Sequence, residues 1–199
     1  DSLSLEIAQN NYKNIFNFRI KDQKKDTLNI KAVQQGILNF RDRFALESAT
    51  PLTNFDVSKI HLTNKSKEIV PFTTEYDEFH QLLYLDFKRE AEENYQLRLS
   101  KGALTDFLEK TSDSLNFSFN TKALADYGNL TVNLQNAKRF PIMIELTNEK
   151  GDVLAMEYTE KDTSVQFNLL EPANYFIRAI YDENKNKIYD PGIYLAKKQ

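Results

Sequence analysis

Alternation of apolar and polar residues runs along this chain from end to end, and it limits the fold more than any other feature. In the segment YKNIFNFRI at 12–20, Phe16, Phe18 and Ile20 share one face of an extended strand. A period of two is typical of a strand that buries one of its faces. The same pattern recurs at 27–33, Leu83/Leu85/Phe87, Tyr95/Leu97/Leu99, Leu115/Phe117/Phe119, Leu130/Val132/Leu134, Phe140/Ile142/Ile144/Leu146, Val165/Phe167/Leu169 and Tyr175/Ile177/Ala179.

This pattern predicts an all-β fold. Because each sheet must cover its apolar face, strands at this spacing indicate antiparallel β-sandwiches. No segment keeps the helical period of about 3.6 residues over several turns. The best helical candidate, ALTDFLEKT at 103–111, is short enough to be a connector.

A boundary between two structural units is predicted near 121–128, TKALADYG, where one alternating strand ends and another begins. The second unit contains a hairpin that can be located from the sequence. It consists of a strand at 140–147, a turn NEKGD at 148–152 and a strand at 153–159. Gly151 provides the positive φ that such a turn requires.

Composition narrows the classes of function. The 199 residues carry a net charge of -3, which argues against a broad nucleic-acid surface. The absence of cysteine excludes a disulfide framework, a thiol nucleophile and a thiolate metal site. No apolar run approaches the ~20 residues of a transmembrane helix. The chain begins with Asp and shows no signal-peptide region, so we expect a processed protein or a piece of a longer one, with any lipid anchor upstream.

The segment 44–121 carries a set of motif residues in the stretches RFALESATPLTNFDVSKIHLTN, VPFTTEYD, LYLDF and YQLRLSKGALTDFLEKTSDSLNFSFNT. These stretches resemble the bacterial Ig-like domain family first described in surface-layer proteins. In that family, a strand leads into a loop with Pro, and a Y-x-L…GAL-x-D segment precedes a closing strand. The residues in those places are Pro51, Tyr95, Leu97, Gly102, Ala103, Leu104, Asp106, Phe119 and Thr121. The Gly that often follows the Asp is absent, since 108–110 reads LEK.

The C-terminal part, 128–199, contains FNLLEPANYFIRAIYDENKNKIYDPGIYL: a strand, a Pro turn, a strand ending in Asp, an Asx-rich loop and Asp-Pro-Gly. It resembles the transthyretin-like or carboxypeptidase-regulatory-like sandwich, with Ala173 and Asn174 in place of the usual Gly. An Ig-like domain followed by this module is similar to the Ig-like surface lipoproteins of Bacteroidetes. The resemblance implies an Ig-like sandwich at 37–124 and a transthyretin-like sandwich at 125–199. Residues 1–36 then provide strands of the first sandwich or of an upstream domain.

The loop YDENKNKIYDPG at 181–192 is the strongest candidate for a metal site. Asp182, Asn184, Asn186, the Ile188 carbonyl and Asp190 match the alternating register of ligands in a calcium loop. Only two of these ligands are charged, and the lysines at 185 and 187 add positive charge, so calcium binding would be weak. The alternative is an Asx-stabilised loop, in which Asp and Asn side chains bond to their own backbone. The sequence alone leaves both open, and it implies no other cofactor.

The two histidines do not form an evident catalytic constellation. His61 lies in the strand-like KIHLTN, where a half-exposed sheet position is expected. His80 follows Asp77 and Glu78 in a turn, where it is in reach of a carboxylate but has no nucleophile motif nearby. No catalytic residue is therefore predicted.

Three short motifs, DSL, DTL and DSL, resemble the Asp-(Ser/Thr)-aliphatic sites of O-glycosylation in Bacteroidetes. This resemblance predicts Ser2, Thr27 and Ser114 as attachment points for an O-linked glycan.

Together these features predict a non-enzymatic β-sandwich protein. The resemblance implies that it belongs to the cell envelope, anchored at the outer membrane or exposed at the cell surface. By the resemblance, it acts as a structural or interaction module with protein partners in the outer membrane, as an accessory subunit of an assembly, secretion or uptake complex. The alternative is a module that binds glycan or calcium. A β-sandwich hosts many functions, so the fold alone does not choose between them.

Overall fold

The computed structural model describes residues 2–19 and 27–189, and strands dominate it. In chain order the strands are β1 (Ser2–Gln9), β2 (Tyr12–Arg19), β3 (Ile30–Ala32), β4 (Gly36–Ile37), β5 (Phe44–Ser48), β6 (Leu52–Phe55), β7 (Ile60–Thr63), β8 (Phe72–Asp77), β9 (Leu82–Phe87), β10 (Asn94–Leu99), β11 (Leu104–Asp106), β12 (Leu115–Asn120), β13 (Gly128–Asn133), β14 (Ile142–Thr147), β15 (Val153–Thr159), β16 (Ser164–Leu170) and β17 (Phe176–Tyr181). The helices of the described ranges are two short 3-10 turns, Val57–Lys59 and Leu124–Asp126. The prediction of an all-β fold is confirmed.

The first hydrophobic core lies between two four-stranded sheets, with strand orders β3-β5-β9-β8 and β4-β12-β10-β7. All strand pairs in these sheets are antiparallel except β12 with β4, which run parallel. The short pair β11-β6 closes one side. The helical candidate at 103–111 is thus a three-residue strand followed by a turn.

An aromatic cluster occupies the centre of this core. The ring of Phe119 stacks on Phe44 with centroids 4.3 Å apart, and it lies 5.6 Å from the ring of Tyr95. Phe87 packs edge-on against Tyr95 at 5.0 Å. The buried hydroxyl of Tyr95 accepts a hydrogen bond from the Glu90 amide at 2.9 Å, which satisfies its polar end.

A second core lies between the sheets β15-β14-β17 and β13-β16. Strand β14 is central and buried along its whole length. Its hairpin with β15 confirms the predicted turn, in which Gly151 has φ +87°. The strand begins at Ile142 rather than 140, because Pro141 has no amide N–H to contribute to a ladder. The predicted domain boundaries stay a prediction.

Polar side chains join the two cores. The Arg41 guanidinium donates to the Asn168 carbonyl at 2.8 Å and pairs with the Glu157 carboxylate at 3.0 Å. Lys122 forms an ion pair with Glu171 at 2.7 Å. Both connections run between side chains that are partly exposed, so water and salt reach this junction.

The hairpin β1-β2 has no strand partner other than itself among the described residues. The cross-strand register places Leu3 opposite Phe18 and Leu5 opposite Phe16, so these side chains share one face with Ile7. All five are between 45% and 51% exposed. We refer to Leu3, Leu5, Ile7, Phe16 and Phe18 as the apolar hairpin face.

The opposite face of this hairpin is mostly polar. Glu6 and Lys13 form an ion pair at 2.9 Å, and the Ser4 hydroxyl donates to the Asn17 side chain at 2.5 Å. Ile15 is the large apolar residue on this side, and it is 53% exposed. The hairpin is therefore amphipathic, although neither face packs on the cores.

Candidate functional site

The loop that follows β17 is organised by its own Asp and Asn side chains. Asp182 is 3% exposed, and its carboxylate accepts hydrogen bonds from the amides of Asn186 at 3.2 Å and Lys187 at 2.9 Å. The Asn186 side-chain oxygen accepts from the Ile188 amide at 2.8 Å, and that of Asn184 accepts from the Asn186 amide at 3.3 Å. This is the pattern of successive Asx turns.

The loop also contacts the neighbouring sheet. The Lys187 ammonium lies 5.0 Å from the ring centre of Tyr158, and the Arg178 guanidinium lies 5.5 Å from that of Tyr189. The pKa of Tyr158 is raised, chiefly by burial and further by the charge of Asp182. The loop thus covers the outer surface of the sheet that contains β15 and β17.

Calcium binding by Asp182, Asn184, Asn186, Ile188 and Asp190 stays a prediction. Asp190 lies outside the described residues. The oxygens of the described Asp and Asn side chains already accept backbone amides, which a cation would have to displace or share. In the part of the chain that the structure describes, no group of three or more His, Cys, Asp or Glu side chains is arranged to hold a metal.

Thermal melting distinguishes the two interpretations of this loop. If the Asx turns alone stabilise it, melting curves in millimolar calcium and in chelator will superimpose, because no cation binds the folded state selectively. This is the result we expect. A rise in Tm of several degrees with calcium, absent in the Asn184→Ala variant, would establish the calcium site instead.

His80 pairs with Asp77 in the turn between β8 and β9. The His80 ring Nδ1 lies 2.7 Å from the Asp77 carboxylate, which also accepts the His80 amide at 3.0 Å. These two hydrogen bonds, from the backbone first, lower the pKa of Asp77. The pair closes an exposed turn, and the neighbouring Phe79 is 89% exposed. The carboxylate here positions the turn.

His61 lies elsewhere, on β7, and is exposed where the sequence predicted a half-exposed sheet position. It borders a shallow cavity of about 670 Å³ on the outer face of the sheet β4-β12-β10-β7. The polar residues that line it come from three strands and the turn after β7, and they are His61, Thr63, Lys67, Gln96, Arg98, Asn116 and Ser118. Sequence reasoning missed this site, because only the strand register brings these residues together. The sequence signal that could have identified the site is the set of polar residues that alternate with the apolar ones in each of these strands.

The predicted glycosylation residues lie in different places. Ser2 begins β1, while Thr27 lies at the start of the second described range and Ser114 precedes β12. Thr27 and Ser114 are exposed. Their modification stays a prediction.

The residues behind the Ig-like resemblance are mainly structural. Asp106 is 1% exposed, and its carboxylate accepts the Thr50 hydroxyl at 2.9 Å and the amides of Leu108 and Lys110 at 3.0 Å and 2.8 Å. The Thr121 hydroxyl accepts the amide of buried Glu93 at 3.0 Å. These motif positions fix turns rather than present chemistry to a ligand.

No protein-family model matches the sequence, and no curated protein matches it. A solved structure, native alpha-2-macroglobulin from Escherichia coli spanning domains MG0-NIE-MG1, is similar with a TM-score of 0.40 and 10% sequence identity. The match covers 76% of this chain and 60% of that one.

The strand order and the two hydrophobic cores define the class: an all-β protein with two successive β-sandwich cores. Within the described ranges, no helix is long and apolar enough to span a membrane.

Proposed function

We propose that this chain is a non-enzymatic β-sandwich protein of the cell envelope that serves as an interaction module. In this proposal, an Ig-like sandwich and a transthyretin-like sandwich present a surface to a protein partner at the outer membrane. The partner is a subunit of an assembly, secretion or uptake complex, and the chain belongs to an anchored surface lipoprotein. The observation that carries the interaction role is the uncovered apolar hairpin face.

An isolated two-stranded hairpin is marginally stable in water, and a face of five large apolar side chains favours burial. Fully covering each such side chain contributes about 1.5–3 kcal/mol, and here each side chain is roughly half covered already. A partner that packs on this face therefore gains the free energy of burying the half of each side chain that is still exposed. The apolar hairpin face thus has free energy available for association.

The surroundings of this face favour a protein as its occupant. At the turn end of the hairpin, Gln9, Tyr12 and Asn14 lie on the same face and form a polar border. The Asn14 amide donates to the Tyr12 hydroxyl at 3.3 Å. An apolar centre with a polar, aromatic border is the usual anatomy of a protein–protein interface. Sheet faces pack at about 10 Å on one another, so we expect the partner to offer an apolar strand surface.

The edge of β17 supports the same role. Among the described strands, β17 pairs with β14 alone, which leaves its second edge without a ladder. Phe176 and Ile177 are 53% and 54% exposed there. An unpaired edge with apolar side chains can accept a further strand.

Two adjacent substitutions test the proposal. Phe16→Glu places a charge on the apolar hairpin face, whereas Ile15→Glu places the same charge at similar exposure on the opposite face. In the native envelope, we expect Phe16→Glu to reduce cross-linking to the partner at least tenfold and Ile15→Glu to change it less than twofold. The partner is identified by mass spectrometry from a photo-cross-linker at position 18.

Several outcomes would contradict the proposal. Equal losses of cross-linking in the two variants would show that the partner does not bind one hairpin face in preference to the other. A cross-link exclusively to a second copy, with a Phe16-dependent dimer in light scattering, would make the face a self-association surface. Cross-linking to lipid alone would show that the apolar hairpin face binds the membrane and not a protein partner.

A further inference from the structure

The cavity on the outer face of the first sandwich has an ordered polar surface. The register of β7, β10 and β12 places His61, Arg98 and Asn116 in one cross-strand row and Thr63, Gln96 and Ser118 in the next. Neighbours within a row are about 5 Å apart, as strand spacing requires. Lys67 and the 80% exposed Ile69 form a wall along one side. The cavity of about 670 Å³ is shallow and open to solvent, and Leu97 and Phe117 also line it.

The charge of this surface comes from cations. Among the described residues, neither Asp nor Glu lines the cavity, although the chain carries 29 acidic residues. Arg98 makes no hydrogen bond or ion pair with the described part of the chain. Arg41, Arg43 and Arg178, by contrast, each contact a carboxylate. An exposed guanidinium beside amides is a ready partner for a planar anion such as a carboxylate or a sulfate.

The remaining lining groups favour a saccharide over a peptide. The side chains of Gln96 and Asn116 offer both donors and acceptors, and those of Thr63 and Ser118 offer hydroxyls, which suit the hydroxyl groups of a sugar. A peptide strand is recognised chiefly by backbone pairing at an edge. The backbone of β10 in the floor of this cavity is already paired on both sides, with β7 and β12.

We propose that this face binds an anionic saccharide. Arg98 holds its carboxylate or sulfate, Lys67 adds long-range attraction, and Gln96 and Asn116 hydrogen-bond to the ring hydroxyls. This site is separate from the apolar hairpin face, and it assigns a ligand to the first sandwich beyond the proposed protein interaction.

Calorimetric titration of the whole chain tests the site with three hexasaccharides. They are hyaluronan, with carboxylates alone, heparin, with sulfates as well, and neutral cellohexaose. We expect both charged ligands to bind, less tightly as salt rises, and cellohexaose not to bind. Arg98→Ala should weaken binding at least about tenfold, the usual consequence of losing a hydrogen bond to a charged group. Lys31→Ala removes the same charge from an exposed position on β3 in the opposite sheet, and it should change affinity less than twofold.

Three results would overturn the inference. The first is the absence of binding to either charged saccharide. The second is equal weakening by Arg98→Ala and Lys31→Ala, which would indicate attraction to net charge alone. The third is equally tight binding of a poly-glutamate peptide of matched charge, which would remove the sugar specificity. Thermal melting of both variants verifies folding, and Phe16→Glu should bind saccharide normally, so failure of the hairpin proposal is seen separately.

Discussion

Replacing Asp106 by alanine is expected to lower the free energy of unfolding by about 3 kcal/mol. The carboxylate is 1% exposed and accepts three hydrogen bonds, one from the Thr50 hydroxyl and two from the amides of Leu108 and Lys110. Alanine removes all three acceptor contacts at once. The Thr50 hydroxyl, in a residue that is only 2% exposed, then loses its partner in a buried setting.

Urea denaturation measures this effect. Asp106→Asn keeps one side-chain oxygen and should lose roughly half as much stability as alanine. Glu109→Ala, at an exposed position of the same turn, should stay within about 0.5 kcal/mol of the original. A loss below 1 kcal/mol for Asp106→Ala, with an unchanged urea slope, would show that the turn is held by other contacts.

Replacing Arg178 by methionine is expected to destabilise the second sandwich by about 2 kcal/mol. Arg178 bonds to Glu145 through Nε at 2.7 Å and Nη2 at 2.5 Å, and the Glu145 side chain is only 8% exposed. Without the guanidinium, a buried carboxylate has no countercharge. Because Arg178 is itself 43% exposed, water moderates the loss below that of a fully buried pair.

The double variant Glu145→Met/Arg178→Met distinguishes the effect of the unpaired charge from the effect of lost side-chain packing. It removes the unpaired charge and should recover stability to within about 1 kcal/mol of the original, because apolar residues often replace buried ion pairs without loss. Chemical denaturation of the single and double variants completes the cycle. Equal destabilisation by both would attribute the effect to lost contact with Tyr189 and the loop rather than to the charge.

The strands were largely predictable because their signal is local. The hairpin identified from the turn NEKGD, with Gly151, predicted a strand at 153–159, which is β15 to the residue. Strand β1, with Leu3, Leu5 and Ile7, carries the same alternation and was missed. That its apolar face packs on no described strand is a property of the tertiary structure, which no local pattern contains.

The candidate sites were less predictable because they depend on register. The Asx-rich loop is contiguous, so its oxygens were identified from spacing, although their bonds to backbone amides required coordinates. The cavity is lined by residues of three strands, and His61 and Arg98 become neighbours only when β7 pairs with β10. The acceptor role of Asp106 likewise depends on Thr50, which the chain brings back from a distant strand end.

The junction between the two cores has a mechanical consequence. It includes hydrogen bonds and ion pairs such as Arg41–Glu157 and Lys122–Glu171, which salt weakens far more than it weakens apolar packing. Partly polar contacts of this kind permit relative motion of the units they join. We therefore expect the two sandwiches to move more freely relative to one another as the ionic strength of their surroundings rises.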